Sequence, residues 1–263
     1  IVCENWRNLI SVGAKPLAIT NCLNFGNPEK PKVMGEFVEC IDGMREACEY
    51  LDFPVVSGNV SFYNETNSKS IYPTPVIGGI GLIQSLKKVI NIKTKNIGSL
   101  IMVIGKTLGH IGQSAFLLEN FSIDQGPPPE INFENEKNNG LAVLGLIKDN
   151  LIFSAHDISS GGMLVSLAEM SISSGFGLKV FKPKKLINSL EYFFGEDQGR
   201  YLVEISKTNQ KKIEKYLKEN NVFFEIVAEV QDNTFELEKT FSLKTKELQN
   251  YNNQWYNKFN AIN

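Results

Sequence analysis

The chain has 263 residues, of which 42% are hydrophobic and 21% charged, a balance typical of a globular protein with a packed core. Its 27 lysine and arginine residues against 29 aspartate and glutamate residues give a net charge of −2, which excludes a broad positive field for attracting nucleic acid or anionic membranes. No apolar run approaches the ~20 residues of a membrane span, and no charged-then-apolar leader opens the chain. We therefore expect a cytoplasmic protein with no nucleic-acid or membrane partner.

Cysteine usage and the first residues of the chain add two expectations. The cysteines show no C-x-x-C spacing, which favours reduced thiols over a disulfide framework or a zinc site; they are Cys3, Cys22, Cys40 and Cys48. Residue 1 is Ile rather than Met, and the opening IVCENWRNLISV is typical of a helix already under way. We expect a fragment or a processed half of a longer protein.

The first fifth of the chain predicts a helix, a strand, a loop and a second helix. Apolar residues recur at helical intervals from Glu4 to Val12 and are followed by Gly13, which suits a C-cap; Pro16–Thr20 then has a strand pattern. Residues 21–32 combine asparagine, glycine and two prolines, which predicts a loop directly after the strand, where α/β proteins keep ligands. Residues 33–51 repeat apolar positions every three or four residues, which predicts an amphipathic helix.

Residues 54–82 hold a dense group of polar residues beside apolar runs. The pattern predicts a short strand, a tight turn at Gly58–Asn59, a second strand to Asn64, a polar tip, and a third strand that ends in glycines. Backbone, amide, hydroxyl and carboxylate groups at a strand end can hold a phosphate or a hydrated Mg²⁺. Those groups come from Gly58, Asn59, Ser61, Asn64, Glu65 and Thr66. The alternative is an ordinary hairpin with polar turn residues, which the spacing alone does not exclude.

A polar and basic stretch at residues 87–98 separates two apolar strands, so we predict a domain boundary near residue 96 and two domains, 1–96 and 97–263. His110 is expected to open a helix as a capping or surface residue. The elements expected here are a buried strand at 100–105, a helix at 109–120, a proline-rich loop at 121–129 and a helix at 130–150.

Residues 151–170 form a second dense stretch, in which an apolar strand runs through His156 and Asp157 into a Ser-Ser-Gly-Gly turn and a helix. Gly161 and Gly162 leave backbone N–H groups free to point at an anion, and the helix dipole adds to this effect. The alternative is that these glycines only permit close packing of helix and strand. Neither His156 nor Asp157 has a serine or cysteine partner at a recognisable spacing, so nucleophilic catalysis is unsupported.

The rest of the chain alternates helices and strands without strict βαβ regularity, which predicts an α+β or mixed α/β fold. The expected strands are 177–181, 201–205, 223–230 and 235–237, the expected helices are 184–190, 207–220 and 244–257, and the segment Gly195–Gly199 is expected to form a turn.

Five motifs occur in the same order as in a known family, from about Trp6 to the C-terminus. They are TNCLNFGNPEKPKVM, PVVSGNVSFYNET, IYPTPVIGGIG, HDISSGGMLVSLAEM and FFGEDQGR. Together they resemble the second half of the synthetase component of phosphoribosylformylglycinamidine synthases. That family has an internal duplication, A1-B1-A2-B2, and this chain is similar to A2 and B2. The resemblance implies an aminoimidazole ribonucleotide synthetase-like A domain followed by a B domain.

The resemblance also implies a reaction, its cofactors and its partners. In the family, ATP phosphorylates the amide oxygen of formylglycinamide ribonucleotide, and ammonia from a glutaminase displaces the phosphate of this iminophosphate to give the amidine. Phosphorylation turns a poor leaving group into a good one, and Mg²⁺ neutralises charge on the transferring phosphoryl group. The implied cofactors are ATP and Mg²⁺. The implied partners are the A1-B1 half, a glutaminase subunit or domain, and the ribonucleotide substrate.

Matching residue by residue assigns roles in the first domain. Gly58 corresponds to an ATP-contacting glycine, Asn59 to a Mg²⁺ ligand and Ser61 to a substrate contact. Asn21 stands where the family has an ATP-contacting aspartate, which puts nucleotide affinity at that position in doubt. The family's general-base histidine lies in the half that this chain does not match, so no catalytic residue is assigned.

In the second domain the resemblance implies at most a pseudo-symmetric phosphate site, formed by Asp157, Gly161, Gly162, Glu196 and Gln198. Two alternatives to a ligase portion stay open. The chain could be a non-catalytic half that binds nucleotide as a scaffold, or another synthetase or kinase of the superfamily that works as a dimer. We also expect the A domain to expose an apolar sheet face that a second A domain covers.

Overall fold

The computed structural model describes residues 1–183 and 188–261. The chain separates into two compact units, Ile1–Lys87 and Lys88–Asn263. Residue 96, where the sequence places the domain boundary, lies within the second unit, because the backbone N–H groups of Lys95 and Asn96 donate to the buried carboxylate of Glu204.

The first unit is a three-stranded sheet with two helices. Its elements are α1 (Val2–Ser11), β1 (Lys15–Asn24), α2 (Pro31–Leu51), β2 (Val55–Ser61), β3 (Glu65–Thr66), β4 (Lys69–Ser70) and β5 (Thr74–Leu82). The strand order is β2-β1-β5, with β2 parallel and β5 antiparallel to β1, while β3 and β4 form a separate two-stranded ribbon. Gly79 and Gly81 allow α1 to lie close to β5, since a Cβ at either position would meet the side chain of Leu9.

One face of this sheet is buried and the other is exposed. Ile19 and Leu23 of β1 pack beneath the helices with Ile10 and Phe53. On β5, Val76, Ile80 and Leu82 alternate with more buried residues and are each more than half exposed. We call the face formed by these three residues the outer sheet face. Its exposure confirms that the first unit presents an apolar sheet surface, as expected from the sequence.

Two sequence predictions in the first unit are wrong. Gly58 and Asn59 do not form a turn but lie inside β2, because parallel pairing with β1 supplies their backbone partners. The loop predicted at 21–32 is shorter than expected at both ends. Strand β1 continues to Asn24, and α2 begins at Pro31, since proline is compatible with the first turn of a helix.

The second unit is a seven-stranded sheet with helices on both faces. Its elements are β6 (Leu100–Ile104), α3 (Ala115–Phe121), α4 (Phe133–Lys148), β7 (Ile152–Asp157), α5 (Gly162–Ser174), β8 (Gly177–Val180), α6 (Ser189–Phe194), β9 (Tyr201–Ile205), α7 (Gln210–Glu219), β10 (Phe224–Gln231), β11 (Thr234–Leu237), β12 (Phe241–Lys244) and α8 (Thr245–Asn260). The strand order is β12-β11-β8-β10-β6-β9-β7, and most neighbours are antiparallel.

The buried residues of β6 divide by parity between two layers. Ile101 and Val103 join a core with Met163, Leu167 and Met170 of α5. The remaining buried residues of the strand face the other way, where α4 and α7 lie side by side. Contact between Gly145 of α4 and the Tyr216 hydroxyl of α7 shows how closely these helices approach.

The sequence predicted most elements of the second unit, with three differences. Helix α3 begins at Ala115 with Ser114 as its cap, so His110 lies in the preceding loop rather than at a helix start. Residues 184–187 of the helix predicted at 184–190 lie outside the described residues, and α6 begins at Ser189. The sequence analysis missed β12, although Phe241 and Leu243 alternate with Ser242 and Lys244 over its four exposed residues. Within the described ranges, no helix is both long enough and apolar enough to cross a membrane.

Candidate functional site

The first group of candidate residues lies where β1 and β2 pair. Asn21 and Gly58 are direct cross-strand partners, and the Oδ1 atom of Asn21 occupies the space that a Cβ on Gly58 would need. Glycine is therefore required at position 58 as long as the Asn21 side chain lies over it. No hydrogen bond to the Asn21 side-chain amide is found among the described residues, which leaves that amide available to a ligand.

Asn59 and Ser61 form a second pair on β2. The Nδ2 atom of Asn59 donates to the Oγ atom of Ser61 across 3.2 Å. Because side chains alternate along a strand, this pair lies on the opposite face of the sheet from Gly58 and Asn21. The residues of β2 are exposed up to Val60, so both pairs are accessible at the edge of the sheet.

The loops that follow β1 and β2 are joined by Glu65. Its Oε1 atom accepts hydrogen bonds from the Lys30 ammonium at 2.6 Å, the Ser70 hydroxyl at 2.7 Å and the Asn27 backbone N–H at 3.1 Å. The hydrogen bond from Lys30, followed by those from Ser70 and Asn27, lowers the pKa of Glu65 to about 2. Glu65 is therefore a carboxylate at any physiological pH.

The side chains of Asn59 and Ser61 are neutral, so they suit a metal ion whose other ligands are charged, such as phosphate oxygens. Asn59 offers an amide oxygen and Ser61 a hydroxyl, both of which are acceptable to Mg²⁺. Across residues 1–183 and 188–261, no three His, Cys, Asp or Glu side chains gather to hold a metal. A magnesium ion at Asn59 would thus need water or phosphate oxygens to complete its coordination. All four cysteines are free thiols, as predicted.

In the second unit, the glycine turn before α5 contacts a carboxylate of the same chain. The Oε1 atom of Glu196 accepts hydrogen bonds from the backbone N–H groups of Gly161 at 2.7 Å and Ala115 at 2.8 Å. Gly162 has a positive φ of 71° and lies against the backbone of residues 193–195, which leaves no room for a Cβ. The turn is closely packed, and its Gly161 donor already has an anionic acceptor.

Asp197 and Arg200 complete this arrangement, although the sequence analysis named neither of them among the candidate site residues. The Asp197 carboxylate accepts the backbone N–H groups of Leu108, Gly109 and His110. Arg200 is fully buried and donates to the carbonyl oxygens of Gly195 and Asp197. The charges of these two residues within the GEDQGR motif are the feature of the sequence that could have indicated a role for them. Gln198 lies beside this network and donates to the carbonyl of Glu196 at 3.4 Å.

Asp157 lies in a separate cluster on β7 and α5. The imidazole of His156 contacts the Asp157 carboxylate at 3.3 Å through Nδ1 and the Glu169 carboxylate at 2.9 Å through Nε2. Burial on its own lowers the pKa of His156, but the hydrogen bonds and charges of the two carboxylates outweigh burial and raise it to about 9. His156 is therefore an imidazolium at neutral pH.

A cleft of about 290 Å³ lies between α4 and the segment that follows Glu196. Its lining includes Lys106, His110, Asn135 and Gln198. Of the five residues predicted to form a pseudo-symmetric phosphate site, Gln198 is the one that lines this cleft. Glu196 and Gly161 are joined by a hydrogen bond, Gly162 adjoins them, and Asp157 lies with His156.

The two units, a small open sheet followed by a larger sheet with helices on both faces, define a two-domain α+β protein. The family profile described as AIR synthase related protein, N-terminal domain, matches residues 1–83, and the profile for the C-terminal domain of the same family matches residues 96–238. The chain therefore belongs to the AIR synthase related proteins, and its fold is an A domain followed by a B domain.

Within that family, the chain is similar to proteins named phosphoribosylformylglycinamidine synthase subunit PurL. It is 54% identical to the one from Pelagibacter ubique over 232 residues, which are 88% of this chain and 32% of that protein. It is 42% identical to the one from Bartonella bacilliformis over 258 residues, which are 98% of this chain and 35% of that protein. The chain thus spans about a third of the length of the curated relatives it matches.

Solved structures show the same fold at low sequence identity. The Thermotoga maritima PurL complexed with ATP matches with a TM-score of 0.71 at 18% identity, covering 94% of this chain and 40% of that chain. The HypE–HypF complex matches with a TM-score of 0.69 at 20% identity, covering 92% of this chain and 81% of that chain.

Proposed function

We propose that this chain is the A2-B2 portion of a phosphoribosylformylglycinamidine synthase. In that role it takes part in converting formylglycinamide ribonucleotide, ATP and glutamine-derived ammonia into the amidine. The observation that carries the proposal is the 54% identity to the P. ubique PurL across 88% of this chain. Relatives of that name, and a Thermotoga maritima structure described as complexed with FGAR, point to the same substrate.

The proposed nucleotide site lies at the edge formed by β2. Asn21 and Gly58 contact the nucleotide, Asn59 supplies an amide oxygen to Mg²⁺, and Ser61 contacts the substrate. The accessibility of both faces of β2 supports this assignment, because a ligand at the edge of the sheet reaches both pairs. Phosphate oxygens and water would complete the coordination of a metal held by Asn59, and such a Mg²⁺ would neutralise charge during phosphoryl transfer.

The proposed partners are the remainder of the synthetase and a glutaminase that delivers ammonia. The outer sheet face supports a partner domain, since Val76, Ile80 and Leu82 are each more than half exposed. A second A domain of the same family is the proposed cover for this face.

A phosphate could bind at the glycine turn of the second unit only by displacing the Glu196 carboxylate from the Gly161 N–H group, and we propose the site in that sense alone. The Gly161 N–H donates to Glu196 and the Gly162 N–H donates to the Ser159 carbonyl, so neither is available as the chain stands. Asp157 lies with His156, apart from this turn, and Gln198 lines the neighbouring cleft. The close-packing alternative for the two glycines has the stronger structural support.

The decisive experiment uses a chimera in which this chain replaces the matching segment of the P. ubique protein. We expect the chimera to form the amidine in an ammonia-dependent assay, whereas this chain alone does not exceed a no-protein control. Asn59→Ala in the chimera should raise the Kd of MgATP about tenfold, the effect of losing one metal or charge-assisted contact. Ser57→Ala, a small change on the same strand, is the matched control. An inactive chimera that still folds would contradict the proposal.

A second candidate function is a separate synthetase or kinase that works as a dimer of A-B chains. Its support is the fold shared with the Escherichia coli HypE structure, which matches 92% of this chain with a TM-score of 0.69 at 12% identity. Amidine formation by the chimera favours the first candidate. Nucleotide turnover by this chain alone, as a stable dimer, favours the second.

A further inference from the structure

Strand β2 has little to hold it in place beyond its pairing with β1. Residues from Val55 to Val60 are exposed, and β2 is the edge strand of the described sheet. An edge strand without a buried face gains little stability from packing. The positions of Asn59 and Ser61 must therefore depend on how the end of β2 is tied to the rest of the unit.

That tie is an exchange of hydrogen bonds between the two loops. The Phe25 N–H donates to the Ser61 carbonyl, the Tyr63 N–H donates to the Gly26 carbonyl, and the Asn64 N–H donates to the Phe25 carbonyl. The Asn64 side-chain amide bridges the carbonyls of Phe25 and Ser61 at 3.0 and 2.9 Å. These contacts begin at Ser61 itself, the residue proposed to contact substrate.

Glu65 holds the same two loops together from the outside. Its Oε1 atom accepts hydrogen bonds from Asn27 and Lys30 of the first loop and from Ser70 of the second. Lys30 also reaches the carbonyl of Ser68 at 3.4 Å. Gly26 lies directly against Ser70, so the loops touch with no space for a Cβ. The Glu65 side chain is 20% exposed, which places this ion pair partly out of solvent.

From these contacts we infer that Glu65 is a positioning residue, which fixes Asn59 and Ser61 by clamping the loop after β1 to the loop after β2 through Lys30, Asn27 and Ser70. In this arrangement Glu65 itself contacts neither the nucleotide nor the metal. The inference rests on the proposed function for its consequence, which is a properly placed Mg²⁺ ligand, but not for its geometry.

The first test measures amide hydrogen exchange in this chain. Glu65→Ala should speed exchange at Tyr63 and Asn64 about tenfold, the loss expected for a charge-assisted hydrogen-bond network, while exchange in β5 stays unchanged. Lys30→Met should speed exchange at the same two amides by a smaller factor, and Lys30→Arg, which keeps the charge, should leave exchange at the wild-type rate. Glu49→Ala, which breaks an exposed ion pair with Arg45, is the matched control. Unchanged exchange at Tyr63 and Asn64, or a uniform rise that includes β5, would overturn the clamp.

The second test separates the clamp from the proposed function. In the chimera, Glu65→Ala should weaken binding of MgATP about tenfold, but binding of ATP in EDTA by much less, since the displaced group is the metal ligand Asn59. Equal losses with and without Mg²⁺ would overturn the positioning role. If local exchange responds to Glu65→Ala but the unmutated chimera fails to bind MgATP, the clamp stands and the proposed function fails.

Discussion

The two units treat their sheets differently. The first leaves the outer sheet face and all of β2 up to Val60 uncovered, whereas the second buries its central strands β6 and β9 completely. A sheet with both faces covered exposes no large apolar surface. A sheet that leaves an apolar face exposed to solvent is expected to bind a partner there. The second unit thus covers its own sheet, and the first unit carries the proposed ligand residues on a sheet whose apolar outer face we propose a partner covers.

Charged groups follow the same division. The second unit buries Glu204 among donors from Lys95, Asn96, Ser99 and Ser154, and such a carboxylate is stable only when its acceptors are satisfied. The first unit keeps its candidate groups at an accessible edge. Glu204 therefore holds structure in the second unit, whereas the candidate groups of the first unit are accessible to ligands.

The largest effect we expect comes from breaking the second unit's buried network. Glu204→Leu should lower the free energy of unfolding by about 3–5 kcal/mol, because the buried donors around it lose the carboxylate that accepts their hydrogen bonds. Urea denaturation of this chain measures the change. As a control, Glu229→Gln removes one partner of an ion pair with Lys207 whose side chains are 56% and 35% exposed, and should cost at most about 1 kcal/mol. Equal costs for the two variants would end the contrast between buried and exposed carboxylates.

The next effect concerns the uncovered sheet of the first unit. We expect this chain to self-associate at micromolar concentration, and Ile80→Lys to weaken the association about thirtyfold, because a lysine must be desolvated at the centre of an apolar contact. Analytical ultracentrifugation gives the dissociation constants. Leu86→Lys, at an exposed residue outside the sheet, is the control. A wild-type chain that stays monomeric would show that the outer sheet face needs no cover.

A smaller effect is predicted at Asn21, the residue that replaces the family's aspartate. In the chimera, Asn21→Asp should tighten MgATP binding about tenfold, since a hydrogen bond to a charged group contributes ~1.5–3 kcal/mol against ~0.5–1.5 for a neutral one. Calorimetric titration compares this variant with the parent and with Asn59→Ala, which should bind more weakly. If Asn21→Asp leaves the Kd unchanged or raises it, the assignment of Asn21 to the nucleotide fails.

The smallest effect is a pH dependence in the second unit. Because the pKa of His156 in the folded chain, about 9, is above its ordinary value of 6.5, protonation stabilises the fold fully below pH 6.5, and this contribution is lost as the pH rises through 9. Glu169→Gln should therefore cost about 1 kcal/mol at pH 6, given that the Glu169 side chain is half exposed, and much less at pH 9.5.

Urea midpoints measured across this pH range test the prediction. Glu219→Gln, which removes one partner of an exposed pair with Lys215, should show no such trend. If Glu169→Gln lowers the free energy of unfolding equally at both pH values, the stabilising role of protonated His156 is contradicted.

The sequence by itself determined the elements with strong local patterns. Helix α2 followed from its 3.6-residue periodicity, and β5 and β6 followed from apolar runs bounded by proline or glycine. The five ordered motifs were sufficient to indicate the family and the A-then-B order, which the family profiles confirmed. The helix and strand patterns are local and can each be recognised in a short window of residues, whereas the family follows from the order of the five motifs along the chain.

Only the tertiary structure decided what depends on residues far apart in the chain. Gly58–Asn59 has the composition of a turn, yet it lies in a strand because β1, more than thirty positions earlier, supplies its hydrogen-bond partners. The Glu65 clamp joins Glu65 to Asn27 and Lys30, and Glu196 reaches back to Gly161. A carboxylate in the sequence shows that an acceptor exists, but the fold selects its donors, because hydrogen bonds between distant residues form only when the chain brings them within about 3 Å.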